Sequence, residues 1–447
     1  MSTESIAVKE SEVEGRSNIT VDETVIPIVH PLKQNYGSFE PRTSGSFSSH
    51  SSGFVSDSSS TSSVNSAGPL EKYRVYWVRW YVLIVHTLIG VGNMAVYSTW
   101  GPIEEQASAS SIGLTQFDFG LLPNYFNIGF FISIFPFMWL IQTKGLRASE
   151  VATAALVTAG AALRCLSFSS FSDSYSSDRI FIHIGQFFNG LATPIPWIGC
   201  TYISAFWFPC QERSMATSIG LATTYLGQAL SFLIGPSIVD KFTKIPGDPD
   251  SIRLAIRGLL YIEVIYTALV LVLALCYFPS KPPTPPSFTA SVERVPFGSA
   301  LKQMLRNRQV WIVMFVYAVS SAVYGSWHQV LPFFVAPAMT PEETGWLGCV
   351  VCLIIIFAAP AMLMGTKSCI AKHPKAVCTV AMLVGCVFFG ALVVCARFFP
   401  QLFNSYTIWV ALVVSAACWT AVEPIWWEMA CEASYPLAES VVSGIFT

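Results

Sequence analysis

Three glutamates stand in the stretch "VEPIWWEMACEASYP" (422–436), close to the end of a long apolar run. Glu428 and Glu432 are four residues apart, so a helix would place both carboxylates on one face. Two carboxylates that share apolar surroundings are suited to taking up and releasing a proton, which is the chemistry of a proton carrier. The alternative is that Glu432 is a solvated charge at the end of the helix. The residue pattern assigns no role to Glu423.

A second group of chemically useful residues lies in two earlier apolar runs. Tyr97 and Trp100 are three residues apart, share a helix face, and could stack on a planar or cationic solute. Both residue types are also common at membrane interfaces. In "GQFFNGLATPIPWIG" (185–199) two prolines interrupt the run, so Gln186, Asn189 and Thr193 either line a cavity or are hydrogen-bonded locally at a kink.

The stretch "VYGSWHQ" (323–329) contains a third group. Tyr324 and Trp327 are further candidates for contact with a solute. His328 belongs to the residue type whose charge changes at physiological pH, which suits a proton-linked step. A structural histidine with satisfied hydrogen bonds is the alternative.

Two opposite charges, Arg164 and Glu263, stand inside apolar runs at comparable predicted depth. A charge near the middle of a bilayer costs at least a few kcal/mol unless it is paired or hydrated. The sequence therefore predicts a structural ion pair between them. Extension of the Arg164 side chain to the interface is the alternative.

The composition indicates which elements position these residues. The chain has 447 residues, of which 53% are hydrophobic and 12% charged, whereas soluble domains carry about twice that charged fraction. Apolar runs of about 20 residues match helices that cross about 30 Å of hydrocarbon. We predict an all-α membrane protein with spans near 80–100, 118–140, 149–170, 180–208, 214–239, 256–278, 309–332, 345–366, 376–398 and 406–430, and an eleventh that begins near Pro436.

Charge and composition predict the domain organisation and orientation. Residues 1–72 are serine-rich and are expected to be a disordered tail. Lysine and arginine concentrate in the loops after even-numbered spans, with the loop after span 5 as the exception, so the N-terminus is expected in the cytosol. A proline-rich linker, 279–308, would separate a six-helix bundle, 73–278, from an incomplete bundle, 309–447.

The tail contains "YGSF", in which Tyr36 and Phe39 fit a tyrosine-based sorting pattern. This pattern predicts contact with a clathrin adaptor and an endosomal or lysosomal membrane, in preference to the plasma membrane.

The residues do not indicate a disulfide-rich protein, an enzyme or a metal-binding protein. The cysteines are scattered singly through apolar runs, as small hydrophobic residues would be. We recognise no nucleophile–base pair, metal-spaced cluster or phosphate-binding loop, so we expect no enzyme, cofactor, metal or nucleic-acid partner. The expected partners are the lipid bilayer, a small-molecule substrate and protons.

Six separated motifs occur in one order along residues 75–447. They are "STWGPIEEQA" (98–107), "WLIQTKGLR" (139–147), "LRCLSFS" (163–169), "WFPCQERSMATSIG" (207–220), "YFPSKPPTPPS" (277–287) and "WEMACEASYPLAES" (427–440). Together they resemble solute carrier family 49, the feline-leukaemia-virus-receptor-related branch of the major facilitator superfamily. The resemblance implies two helical bundles and transport by alternating access. It also assigns Glu428, Glu432, Tyr435, Pro436 and Glu439 to the family signature E-x-x-x-E-x-x-Y-P-x-x-E.

The family resemblance leaves the substrate open. One branch implies a lysosomal, proton-linked carrier of a vitamin-like solute of the pyridoxine type. Another implies export of choline- or haem-related solutes at the plasma membrane. Gln142 stands where the superfamily usually has an aspartate, which weakens the expected cytosolic charge relay. The family has twelve spans, so a chain ending in the eleventh also leaves open a fragment or a non-transporting receptor or scaffold.

Overall fold

The computed structural model describes residues 73–110, 112–167, 175–291, 295, 297–335, 337–365, 373–434, 437 and 439–446, with backbone alone at some helical positions. The N-terminal tail, including Tyr36 and Phe39, lies outside these residues. Helices, turns and loops make up the described part of the chain.

The first half of the described chain contains nine helices. They are α1 (Val78–Ser98), α2 (Glu104–Ala109), α3 (Gln116–Leu121), α4 (Asn124–Thr143), α5 (Leu146–Leu166), α6 (Tyr175–Leu191), α7 (Pro194–Trp207), α8 (Arg213–Phe242) and α9 (Pro249–Cys276). Helices α3 and α4 together form span 2, and α6 and α7 together form span 4.

The second half contains eight described helices. They are α10 (Phe288–Ser291), α11 (Phe297–Arg306), α12 (Arg308–Val335), α13 (Pro341–Gly365), α14 (Pro374–Phe398), α15 (Ser405–Ala421), α16 (Glu423–Ser434) and α17 (Glu439–Phe446). Helices α12 to α14 are spans 7 to 9, α15 and α16 form span 10, and α17 lies in the predicted eleventh span.

Seven segments of the described residues are long and apolar enough to cross a membrane. Many of their apolar side chains, such as Phe131, Leu269 and Val387, are exposed on the surface, which is the pattern of helices that contact lipid. The predicted all-helical, multi-pass architecture is thereby confirmed.

Proline and capping residues determine where several helices begin. Proline is the first residue of α7, α9 and α14, a position at which its missing N–H costs no helical hydrogen bond. The Asp248 carboxylate accepts a hydrogen bond from the Ser251 backbone N–H at 2.9 Å and so caps α9.

Glycine allows the N-terminal helices to pack closely. A Cβ atom added at Gly160 of α5 would lie 2.6 Å from the Gly185 carbonyl oxygen of α6. Gly129 of α4 meets Gly190 of α6 in the same way. Small residues at such crossings let helix backbones approach where lipid provides no hydrophobic driving force. They hold span 4 against spans 2 and 3.

The two halves contact each other through a small number of helices. Helix α13 packs along α8, and α17 packs against α7 and α4. The Phe232 ring of α8 lies against Gly348 of α13. The Thr201 and Ser443 hydroxyls, on α7 and α17, are 3.0 Å apart. Helix α7 is therefore part of both the N-terminal bundle and the boundary between halves.

Two spans are interrupted inside the bundle. Span 4 breaks at residues 192 and 193, between α6 and α7, and span 10 breaks at Val422, between α15 and α16. Each break precedes a proline, Pro194 or Pro424, which cannot continue the hydrogen bonding of the preceding helix. One is the fourth span of the first six and the other is the fourth span of the second half, so the interruptions occupy corresponding places.

Candidate functional site

The break in span 10 places a carboxylate at the boundary between the halves. Glu423 is the first residue of α16, where the helix dipole favours negative charge. Its Oε1 atom accepts a hydrogen bond from the Tyr317 hydroxyl of α12 at 3.0 Å. The Tyr225 side chain of α8 also hydrogen-bonds to this carboxylate. Glu423 therefore connects span 5 of the first half to spans 7 and 10 of the second.

Aromatic rings surround this carboxylate. Trp197, on α7 after the break in span 4, packs edge-on against Tyr225, with 6.0 Å between ring centroids. Tyr317 stacks on Phe446 of α17 at 4.3 Å, and Trp427 packs edge-on against Phe446 at 5.7 Å. A carboxylate among aromatic rings attracts an organic cation or a protonated amine, because both charge and ring quadrupole favour it. The Glu423 site consists of Glu423, Tyr225, Tyr317, Trp197, Trp427 and Phe446.

The polar residues predicted in span 4 lie elsewhere. The Asn93 amide of α1 donates to the Asn189 Oδ1 and carbonyl oxygens, both at 3.0 Å, and the Asn189 amide donates to the Asn93 carbonyl oxygen at 3.0 Å. The Thr193 hydroxyl donates to the Asn189 carbonyl oxygen at 3.3 Å. These groups are buried and hold spans 1 and 4 together, so the structure places them in helix packing instead of at a cavity wall.

Gln186 and the two aromatic residues of span 1 are also packed. The Gln186 amide donates to the Tyr97 carbonyl oxygen at 3.0 Å. The Tyr97 ring packs on Phe126 at 4.4 Å. Trp100 is 2% exposed and belongs to a separate apolar cluster with neighbours such as Ile103. Trp100 and the Asn189–Thr193 group therefore lie in two distinct environments, because mostly aliphatic side chains enclose the indole ring.

The structure brings Arg164 and Glu263 together. The Arg164 Nη2 atom donates to Glu263 Oε2, and the Thr99 hydroxyl donates to Glu263 Oε1 at 2.6 Å. The Arg164 Nη1 atom donates to the Val96 carbonyl oxygen at 3.0 Å and to Gln186 Oε1 at 3.4 Å. Arg164 is 0% and Glu263 11% exposed. The pair and its polar neighbours join spans 1, 3, 4 and 6.

Several predicted functional residues lie outside what the structure describes. Helices α12 and α16 include these positions, but their side chains are not among the described ones. The positions are Tyr324, Trp327, His328, Glu428 and Glu432. The sequence-based hypotheses for these residues therefore stay predictions.

Reasoning from the sequence missed a buried histidine–carboxylate pair. The His86 Nδ1 atom of α1 lies 2.6 Å from Glu150 Oε1 of α5, and the side chains are 1% and 0% exposed. The signal was present, since each ionisable residue interrupts a segment that otherwise reads as apolar or small. The two residues were missed because they are 64 positions apart and Glu150 stands near the predicted start of a span.

A cluster between spans 2 and 4 was also missed. The Asp118 Oδ1 atom lies 2.8 Å from Arg179 Nη2 and 3.1 Å from His183 Nε2. The Asp118 carboxylate also accepts hydrogen bonds from the Thr115 backbone N–H and hydroxyl at the start of α3. This carboxylate has enough partners to be satisfied and fixes the entry to span 2.

A cleft of about 150 Å³ lies beside Glu263, between α1, α8 and α9. Apolar side chains dominate its lining, together with the polar groups of Thr99, Ser231 and Glu263. Ile234 and Ile262 line it and are 40% and 45% exposed, so the cleft opens at the bundle surface. It is separate from the Glu423 site.

Comparison with known proteins agrees with this architecture. The model of the Major Facilitator Superfamily matches residues 66–447 of the chain. A curated relative from Xenopus tropicalis, "Solute carrier family 49 member 4 homolog", is 28% identical over 397 residues, which cover 84% of this chain and 82% of that protein. The human "Choline/ethanolamine transporter FLVCR2" is 23% identical, with 85% of this chain and 71% of that protein covered.

Solved structures of transporters share the fold. The proton:xylose symporter XylE, bound to 6-bromo-6-deoxy-D-glucose, has a TM-score of 0.61 at 14% identity, over 82% of this chain and 85% of that one. The E. coli fucose:proton symporter FucP has a TM-score of 0.58 at 13% identity, over 83% and 88%. At these identities the likeness supports the fold alone, and it confirms the predicted superfamily architecture.

The Arg164–Glu263 pair generates a prediction about stability. Glu263→Gln and Arg164→Met should each destabilise the protein by about 3–5 kcal/mol, because each leaves one buried charge without its partner. The double variant should recover part of that loss. A double-mutant cycle in thermal unfolding of the detergent-solubilised chain measures this, and additive losses would show that the two side chains do not stabilise each other.

Proposed function

The chain belongs to the major facilitator superfamily and is a membrane transporter, and we propose that it is a secondary active carrier of a small organic solute of the vitamin-like, pyridoxine type. Alternating access of the two helical halves moves the solute, and a proton gradient drives it. The Glu423 site is the proposed binding site.

One observation carries this proposal: both halves interrupt their fourth span, and a ring that follows the first break and a carboxylate that follows the second are joined by one side chain, Tyr225. Interrupted helices in corresponding positions of two halves are the usual place of a transporter's substrate site. Trp197 follows the first break and Glu423 follows the second. Tyr225 contacts both residues. A solute held there would touch both halves at once, as alternating access requires.

Uptake into vesicles tests this function. Proteoliposomes with the full chain should accumulate radiolabelled pyridoxine when the outside is acidic, and lose that accumulation when an ionophore abolishes the pH gradient. Protein-free liposomes and an excess of unlabelled pyridoxine are the controls. The proposed activity would be contradicted if the vesicles took up none of a panel of vitamin-like and choline-like solutes.

A choline-type exporter is the second candidate. The aromatic rings around Glu423 favour it, because a quaternary ammonium binds well to ring faces beside a carboxylate. Several relatives are named choline/ethanolamine transporters. The same vesicles distinguish the two candidates, because efflux of radiolabelled choline that continues after the ionophore would favour the exporter.

Glu423→Gln tests the binding site. If the carboxylate attracts a cationic group, this change should raise the KM for a cationic solute on the order of 10- to 100-fold, since a charge-assisted contact is worth about 1.5–3 kcal/mol. Tyr317→Phe, which keeps the carboxylate and removes one hydrogen bond, should have a smaller effect. Glu105→Gln, at an exposed position, is the matched control. Unchanged KM in Glu423→Gln would place the solute elsewhere.

We further propose that Glu428, Glu432 and His328 take part in proton coupling, and that Tyr324 and Trp327 contact the solute. The support is the sequence pattern alone. The proposed location is a lysosomal or endosomal membrane, with the N-terminus in the cytosol and Tyr36 and Phe39 available to a clathrin adaptor in the tail.

Glu428→Gln tests the coupling. Glutamine keeps the shape of the side chain but cannot release a proton, so pH-driven accumulation should be lost while solute exchange at equal pH continues. The two rates are compared in the same vesicles. Accumulation that persists would assign the proton to another residue, and a failure to bind solute would make Glu428 a substrate contact.

A further inference from the structure

We propose that His86 and Glu150 form a proton-binding site in the N-terminal half, and that α7 links its occupancy to the contact between the halves. The inference rests on the proposed transport function and adds to it a residue pair distant from the carboxylates of span 10.

The geometry of the pair is that of a shared proton. The His86 Nδ1 and Glu150 Oε1 atoms are 2.6 Å apart and both side chains are buried. The second carboxylate atom, Glu150 Oε2, is buried and lacks a hydrogen-bond partner among the described residues. A buried polar atom without a partner costs about 1–3 kcal/mol. Glu150 therefore has unused hydrogen-bonding capacity in this conformation.

The pair lies directly against α7. A Cβ atom added at Gly199 would come 2.8 Å from His86 Cε1 and 3.2 Å from Glu150 Oε1. The next residue, Cys200, packs on Gly220 of α8. Thr201, one residue further, meets Ser443 of the second half. Three consecutive residues of α7 therefore touch the pair, span 5 and the opposite half.

Among the described residues, the other ionisable side chains form no ion pair with His86 or Glu150. Cys200 lies within electrostatic range of both Glu150 and Glu423. The described residues place no lysine or arginine in an ion pair with Glu150, so His86 is its cationic partner. The neighbouring groups are engaged elsewhere: Arg147 with the Leu275 carbonyl, Arg79 with Glu212, Tyr266 with the Leu88 carbonyl, Cys200 with the Trp197 carbonyl, and Arg164 with Glu263.

Occupancy by one proton changes the charge of the pair. With the proton, imidazolium and carboxylate together are neutral and tolerate the dry environment seen here. Without it, a lone carboxylate remains, and an unpaired buried charge costs several kcal/mol unless water reaches it. The deprotonated pair therefore favours a conformation in which α7 moves away and admits water. A ligand shifts a conformational equilibrium by its differential affinity in this way.

The step consists of proton binding alone. Hydronium on one side delivers a proton that forms the imidazolium N–H bond and leaves water behind. On the other side that bond breaks, and the proton returns to water. No other bond is made or broken.

Hydrogen–deuterium exchange of α7 tests the proposal without any solute. The full chain in proteoliposomes is labelled at pH 5.5 and pH 8.0, and protection is computed for peptides in 194–207 after correction for intrinsic exchange. Protection in the unaltered chain should fall with rising pH on the order of tenfold, within the limit set by one linked proton. In His86→Gln and Glu150→Gln the change should be below about twofold.

The matched control is His183→Gln. His183 also contacts a carboxylate, but Asp118 keeps Arg179 and Thr115 as partners, so the pH response of α7 should stay as in the unaltered chain. The proposal is overturned if α7 shows no pH response, or if both pair variants keep it. Failure of both variants to fold would make the pair a structural requirement and would also overturn it. A failed uptake screen with an intact α7 response would instead reject the proposed transport activity.

Discussion

The structure depends on one constraint: the bilayer interior offers no water, so every polar group at that depth needs a partner inside the protein. The two terminal nitrogen atoms of Arg164 meet this requirement with one carboxylate and several oxygen atoms from three other helices. The side-chain NH2 groups of Asn93 and Asn189 meet it by donating to each other's residue. These contacts join the same helices that glycines bring close, so polar pairing and close packing determine the N-terminal bundle together.

The same constraint explains where the helices break. A proline-induced break frees backbone groups, which is tolerated only where protein or a water-lined path receives them. In span 4 the Ala192 and Thr193 N–H groups still donate to the Asn189 and Gly190 carbonyl oxygens at 3.1 and 3.2 Å. In span 10 the break leaves Glu423 at a helix start, where hydroxyls from two other helices reach it. The backbone groups at the span 4 break are hydrogen-bonded within the helix, whereas the span 10 break places the Glu423 carboxylate between helices.

The sequence predicted the helical class and the approximate spans because hydrophobic runs of a given length have few alternatives in a membrane. It also suggested that Arg164 lies near Glu263, since two opposite charges at one depth have little else to pair with. It left open whether Gln186, Asn189 and Thr193 line a cavity or are hydrogen-bonded at a kink, because partners such as Asn93 are distant in the chain. For the same reason it gave no role to Glu423 and overlooked His86.

Hydrogen-bonding capacity distinguishes the amides of span 4 from the two carboxylates, Glu150 and Glu423. The amides of Asn189 and Gln186 bond to neighbouring helices, so any solute would have to break existing bonds to reach them. A carboxylate has room for about four hydrogen bonds. Glu150 keeps one oxygen atom without a partner among the described residues, and Glu423 is held by tyrosine hydroxyls without a described ion pair. Buried charge with unused capacity is costly. Glu150 lies against Gly199 of α7, and Tyr225, which bonds to Glu423, packs on Trp197 of the same helix. Movement of α7 would therefore change the surroundings of both carboxylates.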